Sequence, residues 1–221
     1  MKTVSGRDPG GMWAQPDILP YAHLPVSKSR TILEGLMPVS GAGPGLAGDR
    51  GGEGSSPRGQ AVDPRRVRLL ASGEAGTGGV LYWMSRDQRT RDNWALLFAQ
   101  ELAFERKAPL AVMFCLAPRF LDAGLRQYHF MMEGLKQVER DLAEKNIPFF
   151  LIPGNPGRTI PDFIRRRSIG ALVTDFDSLR IKREWKDEVR RKIDIPFFEV
   201  DAHNIIPCWA ASDKQEYAAK S

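Results

Sequence analysis

The chain has 221 residues, with 32 lysines and arginines against 27 acidic residues, and its sequence pI is about 9.4. This mild basic excess permits an anionic partner such as nucleic acid without requiring one. No apolar run approaches the roughly 20 residues that a helix needs to cross a bilayer, so a membrane-spanning protein is excluded. Cys115 and Cys208 fall in no metal-binding spacing, which predicts an intracellular, reducing compartment and no structural metal.

Residues 1–62 are predicted to form a disordered leader. They hold 12 of the 21 glycines and 7 of the 16 prolines, and the remaining apolar sequence is too sparse to offset the entropy of ordering them. The leader lacks the continuous apolar core of a secretory signal. Two localisations are compatible with this leader: the cytoplasm, nucleoid or nucleus, or an organelle to which the leader would act as a transit peptide. The folded unit is expected to begin near Asp63 and to have the length of one domain.

From Val80 onward, short apolar runs alternate with segments of helical spacing. The runs predicted to be buried strands are 80–84, 110–116, 149–152, 171–176 and 197–200. The predicted helices are 93–107 with Asp92 or Asn93 as N-cap, 125–145, a short one at 160–167 that begins at or just beyond Pro161, and 180–193. The last of these carries many basic residues, which are predicted to form a solvated face because acidic residues sit among them at helical spacing.

Five strands that are apolar throughout and separated by helices predict an α/β fold. Such strands form a parallel sheet that is covered on both faces, and right-handed crossovers then give a doubly wound, three-layer, Rossmann-like sandwich. Ligands of these sheets bind beyond the carboxyl ends of the strands, where the strand order reverses. A functional site is therefore expected at the ends of the predicted strands.

The common sequence fingerprints of nucleotide and hydrolase sites are missing. The glycines of residues 73–79 precede the first predicted strand instead of following it, so they are interpreted as a flexible entry to the strand and not as a dinucleotide loop. No GxxxxGK[ST] or GxSxG sequence exists, and the three histidines show no metal-ligand spacing.

Polar residues at two predicted strand ends remain as candidates. They are Ser85, Arg86, Asp87 and Arg89 after the first strand, and Thr174, Asp175 and Asp177 after the fourth. In one interpretation, Asp87 and Asp92 cap the following helix while the arginines pair with them or are solvated. In the other, a crevice holds a small polar aromatic ligand, and its residues are Arg86 and Asp177 at the rim with Met113 and Phe114 as the apolar wall.

The stretch YWMSRDQRTRDNWALLFAQ at 82–100 resembles the first strand and loop of the photolyase and cryptochrome family. Its methionine-serine pair, the glutamine in RDQR and the tryptophan in DNWALL are similar to the class II cyclobutane pyrimidine dimer photolyases. Further matches follow in order: VMFCLAPRFLDAGLRQYHFMMEGL, FFLIPGNPG, LVTDFDSLRIKREW and IPFFEVDAHNIIPCWAASDKQEYAAK. The resemblance covers roughly residues 65–221.

This resemblance implies both a fold and a function. In that family an N-terminal α/β domain holds a light-harvesting antenna, which is a deazaflavin, a folate or a flavin. A separate helical domain binds FAD and takes up the pyrimidine dimer of UV-damaged DNA, and the photoexcited reduced flavin donates the electron that splits the dimer. The expected organisation is an antenna domain at 63–203 and the start of a linker at 204–221. The FAD domain and every catalytic residue would then lie outside this chain, which alone would repair nothing.

The resemblance also assigns residues to the antenna pocket. Arg86 stands where deazaflavin-binding members present an arginine to the chromophore, and Met113 and Phe114 stand in the strand segment that lines the pocket. Asp177 occupies a strand-end position that can hydrogen-bond the chromophore, and Asp175 is the alternative residue for this role. The alternative function is a stand-alone small-molecule-binding or protein-interaction module of the same fold without photochemistry.

Overall fold

The computed structural model describes residues 62–74 and 76–211, so the predictions of a leader over residues 1–61 and of a linker over 212–221 lie outside the described residues. The strands are β1 (Val67–Ala71), β2 (Val80–Met84), β3 (Leu110–Leu116), β4 (Phe149–Pro153), β5 (Ala171–Asp175) and β6 (Phe197–Val200). The α-helices are α1 (Trp94–Glu105), α2 (Leu125–Ala143), α3 (Pro156–Arg167), α4 (Arg180–Arg190) and α5 (Cys208–Ala211).

The six strands form one sheet in the order β1-β6-β5-β2-β3-β4. Strands β2 to β6 pair in parallel, which confirms the five predicted strands, whereas β1 pairs antiparallel with β6. The sixth strand was missed because VRLLA is not apolar throughout. It lies at the edge of the sheet, where one side of a strand is solvated, and Leu69 is 54% exposed.

Helices cover both faces of the sheet, as a doubly wound fold requires. Successive residues of β2 point to opposite faces: Tyr82 packs with α1 and α2, and Trp83 packs with α3 and α4. The buried face of α1 carries the small side chains Ala95, Ala99 and Ala103, which bring this helix close to the sheet. The two apolar clusters confirm the predicted three-layer α/β sandwich.

Helix α3 begins earlier than its sequence pattern predicted. Asn155 is its N-cap and accepts the Gly157 N–H at 2.8 Å, and Pro156 occupies the first helical turn, where its missing N–H costs nothing. Pro161 therefore lies inside the helix and leaves the Gly157 carbonyl without its usual helical donor. The Lys192 Nζ donates to that carbonyl at 2.7 Å, which explains how the helix continues through a proline.

The glycines before β2 have a packing role that the prediction of a flexible entry missed. A Cβ on Gly78 would lie 1.5 Å from the Ser168 carbonyl oxygen, and a Cβ on Gly73 would lie 2.2 Å from the Asp194 carbonyl oxygen. Backbone segments approach each other here more closely than any side chain allows. Glycine is required at these positions for close contact and not for flexibility.

The segment after β6 is tied to the start of the domain. The Asp201 carboxylate accepts backbone N–H bonds from Asn204 at 3.0 Å and Cys208 at 2.9 Å, which shapes the turn into α5. The Trp209 indole donates to the Arg65 carbonyl at 2.7 Å, and the Arg66 guanidinium donates to the Asn204 carbonyl at 2.7 Å. Residues 204–211 therefore pack on the α/β domain.

Candidate functional site

The carboxyl ends of β2 and β5 meet through the carboxylate of Asp175, which is 1% exposed. Its Oδ2 accepts three backbone N–H bonds from the loop after β2, from Ser85 at 2.8 Å, Arg86 at 2.7 Å and Asp87 at 3.2 Å. Its Oδ1 accepts a bond from the Tyr82 hydroxyl. After β2 the chain continues to β3 on one side of this strand pair, and after β5 it continues to β6 on the other side. Asp175 therefore lies where the strand order reverses.

Burial dominates the electrostatics of this contact. Burial raises the pKa of the Asp175 carboxyl, although its hydrogen bonds oppose that shift. Burial also raises the pKa of the Tyr82 phenol well above its ordinary value. Both carboxylate oxygens of Asp175 already accept hydrogen bonds from the protein, so this side chain holds the loop in place. Any contact with a ligand would be made by neighbouring residues.

Asn93 fixes the other end of the same loop. Its side-chain amide donates to the carbonyls of Asp87 at 3.1 Å and Arg89 at 3.0 Å, while its Oδ1 accepts the Leu96 N–H at 3.0 Å and caps α1. The expectation that Asp87 and Asp92 cap this helix is therefore wrong, since the N-cap is Asn93 and the helix begins at Trp94. The prediction of Asp92 or Asn93 as N-cap resolves to Asn93.

Asp87 faces inward, toward two basic side chains. Its Oδ1 lies 3.6 Å from the Arg89 guanidinium and 3.6 Å from the His203 Nδ1. Its Oδ2 is buried and has no hydrogen-bond partner among the described residues. One arginine of the loop thus has a structural partner, as the first interpretation of these charges predicted.

A pocket of about 130 Å³ opens beside this loop, at the carboxyl end of β3 and between α2 and α4. Its lining residues are Gln88, Phe114, Cys115, Leu116, Ala117, Phe120, Ala123, Gln127, Tyr128, Met131, Lys182 and Trp185. The volume is below the roughly 300–1,000 Å³ of sites that enclose a drug-sized ligand. The pocket therefore has room to enclose only part of a ligand of that size.

The structure brings one of the four predicted pocket residues onto this wall. Phe114 lines the pocket. Met113 points to the opposite face of the sheet and is 0% exposed in the core under α3 and α4. Arg86 is half-buried and Asp177 is buried, with its Oδ1 accepting the Leu179 N–H at 2.9 Å; neither is among the lining residues. Their contact with a chromophore stays a prediction.

Lys182 is the one pocket residue with an ionic group, and sequence reasoning missed it. Its Nζ donates to the Ser85 Oγ at 2.9 Å and lies 5.0 Å from the ring centroid of Phe120 and 5.4 Å from that of Trp185. Burial lowers the pKa of this lysine. The signal was its position three residues before Trp185, which puts both side chains on the same face of α4.

A second lysine of α4, Lys186, is buried, and Lys182 is half-buried, so the predicted solvated face is wrong at Lys186 and only partly holds at Lys182. Lys186 is 6% exposed and pairs with the Glu199 carboxylate, which is 0% exposed. The Arg68 Nε donates to the other Glu199 oxygen at 2.5 Å, and its guanidinium lies 4.8 Å from the Trp209 ring centroid. This cluster joins β1, β6, α4 and α5 and is structural, because a buried carboxylate needs such partners.

Cys115 places a thiol in the pocket wall. Its Sγ lies 3.4 Å from the Gly154 carbonyl oxygen as a weak donor, and burial raises the pKa of the thiol to about 11. Both cysteines of the chain are free. The described residues contain no group of side chains arranged to hold a metal ion, and no helix among them could span a membrane.

These features define a class: a doubly wound α/β domain with a pocket of about 130 Å³ at the carboxyl ends of its strands. Residues 80–221 match the family model described as DNA photolyase. The chain is 47% identical over 162 residues to a deoxyribodipyrimidine photo-lyase of Potorous tridactylus, covering 71% of this chain and 30% of that protein. It is also 47% identical over 167 residues to the deoxyribodipyrimidine photo-lyase of Arabidopsis thaliana, covering 72% of this chain and 34% of that protein.

A solved bacterial class III photolyase from Agrobacterium tumefaciens is similar with a TM-score of 0.46 and 20% identity, over 55% of this chain and 26% of that one. The chain belongs to the DNA photolyase family, as its resemblance predicted. It spans about a third of the length of the curated relatives that it matches.

Proposed function

We propose that this chain forms the light-harvesting antenna part of a deoxyribodipyrimidine photo-lyase, an enzyme that uses light to repair cyclobutane pyrimidine dimers in DNA. The observation that carries this proposal is the family match over residues 80–221, which includes every residue of the strand-end pocket. The relatives that are 46–47% identical to the chain over 162–167 aligned residues are named as this enzyme.

The proposed cofactors are FAD and an antenna chromophore, which is a deazaflavin, a folate or a flavin. FAD and the damaged DNA are proposed to bind in the part of the relatives that this chain does not match. The antenna would absorb light and pass its energy to the flavin. The proposed antenna domain is residues 63–203, and it contains no catalytic residue. The proposed linker begins at residue 204.

The pocket residues fit a planar heteroaromatic group. Phe114, Phe120, Trp185 and Met131 supply flat or soft apolar surface, and the amide of Gln88 supplies a polar edge. Rings of this kind stack on aromatic side chains with a gain of about 0.5–1.5 kcal/mol per pair beyond the buried area. The chain would bind, orient and shield the chromophore, and the photophysics would be that of the bound group.

Arg86 is proposed to act at the rim of this site. Its backbone N–H is fixed by Asp175 at 2.7 Å, so the residue has a defined place, while its half-buried side chain has no ion pair among the described residues. Asp177 is proposed to contact the polar edge of the chromophore with its second carboxylate oxygen. The free thiols of both cysteines support action in a reducing compartment.

Reconstitution tests this proposal. The 221-residue chain is incubated in turn with a deazaflavin, a methylated folate and a flavin mononucleotide, passed through a desalting column and scanned for retained absorbance. We expect one of the three to be retained, and Arg86→Ala to weaken its retention about tenfold. Arg119→Ala, an exposed arginine outside the pocket lining, is the matched control. Loss of all three chromophores on the column would overturn the proposal.

A further inference from the structure

The charge of the strand-end pocket comes from one side chain. Among its lining residues Lys182 is the only one with an ionic group, and the other polar contributors are the amides of Gln88 and Gln127, the Tyr128 hydroxyl and the Cys115 thiol. The Tyr128 hydroxyl already donates to the Ala117 carbonyl at 2.9 Å. The wall therefore presents a cation and apolar surface to whatever enters.

The hydrogen bonds of Lys182 leave one donor available. An ammonium group has three N–H donors, and the Ser85 hydroxyl and carbonyl accept at 2.9 Å and 3.3 Å. No carboxylate of the described residues lies within ion-pair distance of Lys182, although the charges of Asp177 and Asp175 act on it from farther away. Its charge is thus solvated by one serine and two aromatic rings, and it lacks a counter-ion.

We propose that this pocket selects planar aromatic ligands that carry a negative charge, and that Lys182 is the residue responsible for the selection. The inference rests on the proposed antenna function and states the chemical class of ligand that the site takes. An ionised oxygen at the edge of a ring would accept the remaining Lys182 N–H while the ring lies against Phe120 and Trp185. A neutral ring would leave a partly desolvated ammonium unpaired, which is unfavourable.

A pair of two-ring probes tests this selection. The full chain is titrated with 2-naphthoate and with 2-naphthamide, which have the same shape and differ in charge, and binding is followed by calorimetry. We expect naphthoate to bind about tenfold more tightly, which corresponds to about 1.4 kcal/mol, because only the ionised probe forms a charge-assisted hydrogen bond with Lys182. Lys182→Met should remove the preference and keep the naphthamide affinity, and Lys182→Arg should keep the preference. Lys136→Met, at a half-buried lysine of α2 that lies outside the pocket lining, is the matched control.

The pH dependence gives a second readout that needs no variant. Burial lowers the pKa of Lys182, so the naphthoate preference should fall as the pH rises toward and through that lowered value, while naphthamide binding stays level. The other titratable groups that act on Lys182 are Asp175, Asp177, Lys186 and Cys115. Burial raises the pKa of the Cys115 thiol to about 11. A preference that the Lys182→Met chain retained at neutral pH would overturn the inference.

The two proposals fail in different ways. Retention of a chromophore without any naphthoate preference would remove the inference and leave the antenna function. A naphthoate preference that depends on Lys182, in a chain that retains no chromophore, would leave an anion-selective pocket and remove the antenna function. Failure of both probes to bind the unaltered chain would also overturn the inference.

Discussion

The carboxylate of Asp175 should control the stability of the domain through the three backbone donors it holds. In Asp175→Ala the N–H groups of Ser85, Arg86 and Asp87 lose their acceptor. Each buried donor left unsatisfied costs about 1–3 kcal/mol, and partial entry of water reduces the sum, so we expect a loss of about 3–5 kcal/mol. That is a large share of the roughly 5–15 kcal/mol by which domains are stable.

Asp175→Asn should behave differently, because the amide keeps one oxygen for the same donors. The raised pKa of Asp175 shows that burial of the charge outweighs its hydrogen bonds, so removing the charge relieves a cost as well as weakening the bonds. We expect a change of within about 1 kcal/mol. Asp177→Ala is the control, since its carboxylate accepts one backbone bond, from Leu179, and its loss should cost about 1 kcal/mol.

Urea unfolding of the three variants measures these free energies, and hydrogen exchange at residues 85–87 reports the loop directly. The pH dependence adds a check. The folded carboxyl of Asp175 has a pKa above its unfolded value of about 3.8, so the folded state binds the proton more tightly. Asp175 should therefore add stability as the pH falls through the folded pKa, and Asp175→Asn should lack this term. A cost below about 1 kcal/mol for Asp175→Ala would refute the reasoning.

Two further predictions use matched pairs of residues. Gly78→Ala should destabilise the domain by more than about 2 kcal/mol, because its Cβ would meet the Ser168 carbonyl oxygen at 1.5 Å, whereas Gly134→Ala on the open surface of α2 should stabilise it by about 0.5–1 kcal/mol in thermal unfolding. Iodoacetamide at pH 8 should alkylate the exposed Cys208 at least tenfold faster than Cys115, whose thiol is buried and has a pKa of about 11.

Each pair has an outcome that contradicts it. Equal stability of the two alanine variants would mean that the backbone contact at Gly78 is not close. Equal labelling of the two thiols, read by mass spectrometry, would mean that the pocket wall around Cys115 opens readily to solvent. Occupancy of the pocket by 2-naphthoate should slow the labelling of Cys115 further and leave Cys208 unchanged.

The parallel strands could be predicted from the sequence because each is buried on both faces and is therefore apolar throughout. Tyr82 and Trp83 point to opposite faces of the sheet, yet both are core residues. Their strand could therefore be found as a continuous apolar run, without an alternation of apolar and polar residues. Strand β1 could not be found this way, because an edge strand mixes exposed and buried residues. The start of α3 was missed because Pro161 reads as a helix start, and only the Lys192 bond shows why it is tolerated inside.

The candidate site was predicted in its location and only partly in its residues. The strand ends are set by topology, so Asp175 and the loop at 85–89 could be expected to meet. The residues of the pocket wall depend on which face of α4 packs inward. Basic residues occur on several faces of α4, so its sequence does not indicate all the residues that face inward. Lys182 is half-buried and Lys186 is buried, because Ser85 and Glu199, which lie far away in the sequence, accept hydrogen bonds from them.

Equilibrium dialysis of the 221-residue chain against a deazaflavin, a folate and a flavin tests the central claim most directly. The claim predicts that one chromophore binds at about one molecule per chain and is displaced by 2-naphthoate, because both occupy the pocket between α2 and α4. If none of the three binds at concentrations well above the dissociation constants of ordinary cofactor sites, the claim is contradicted.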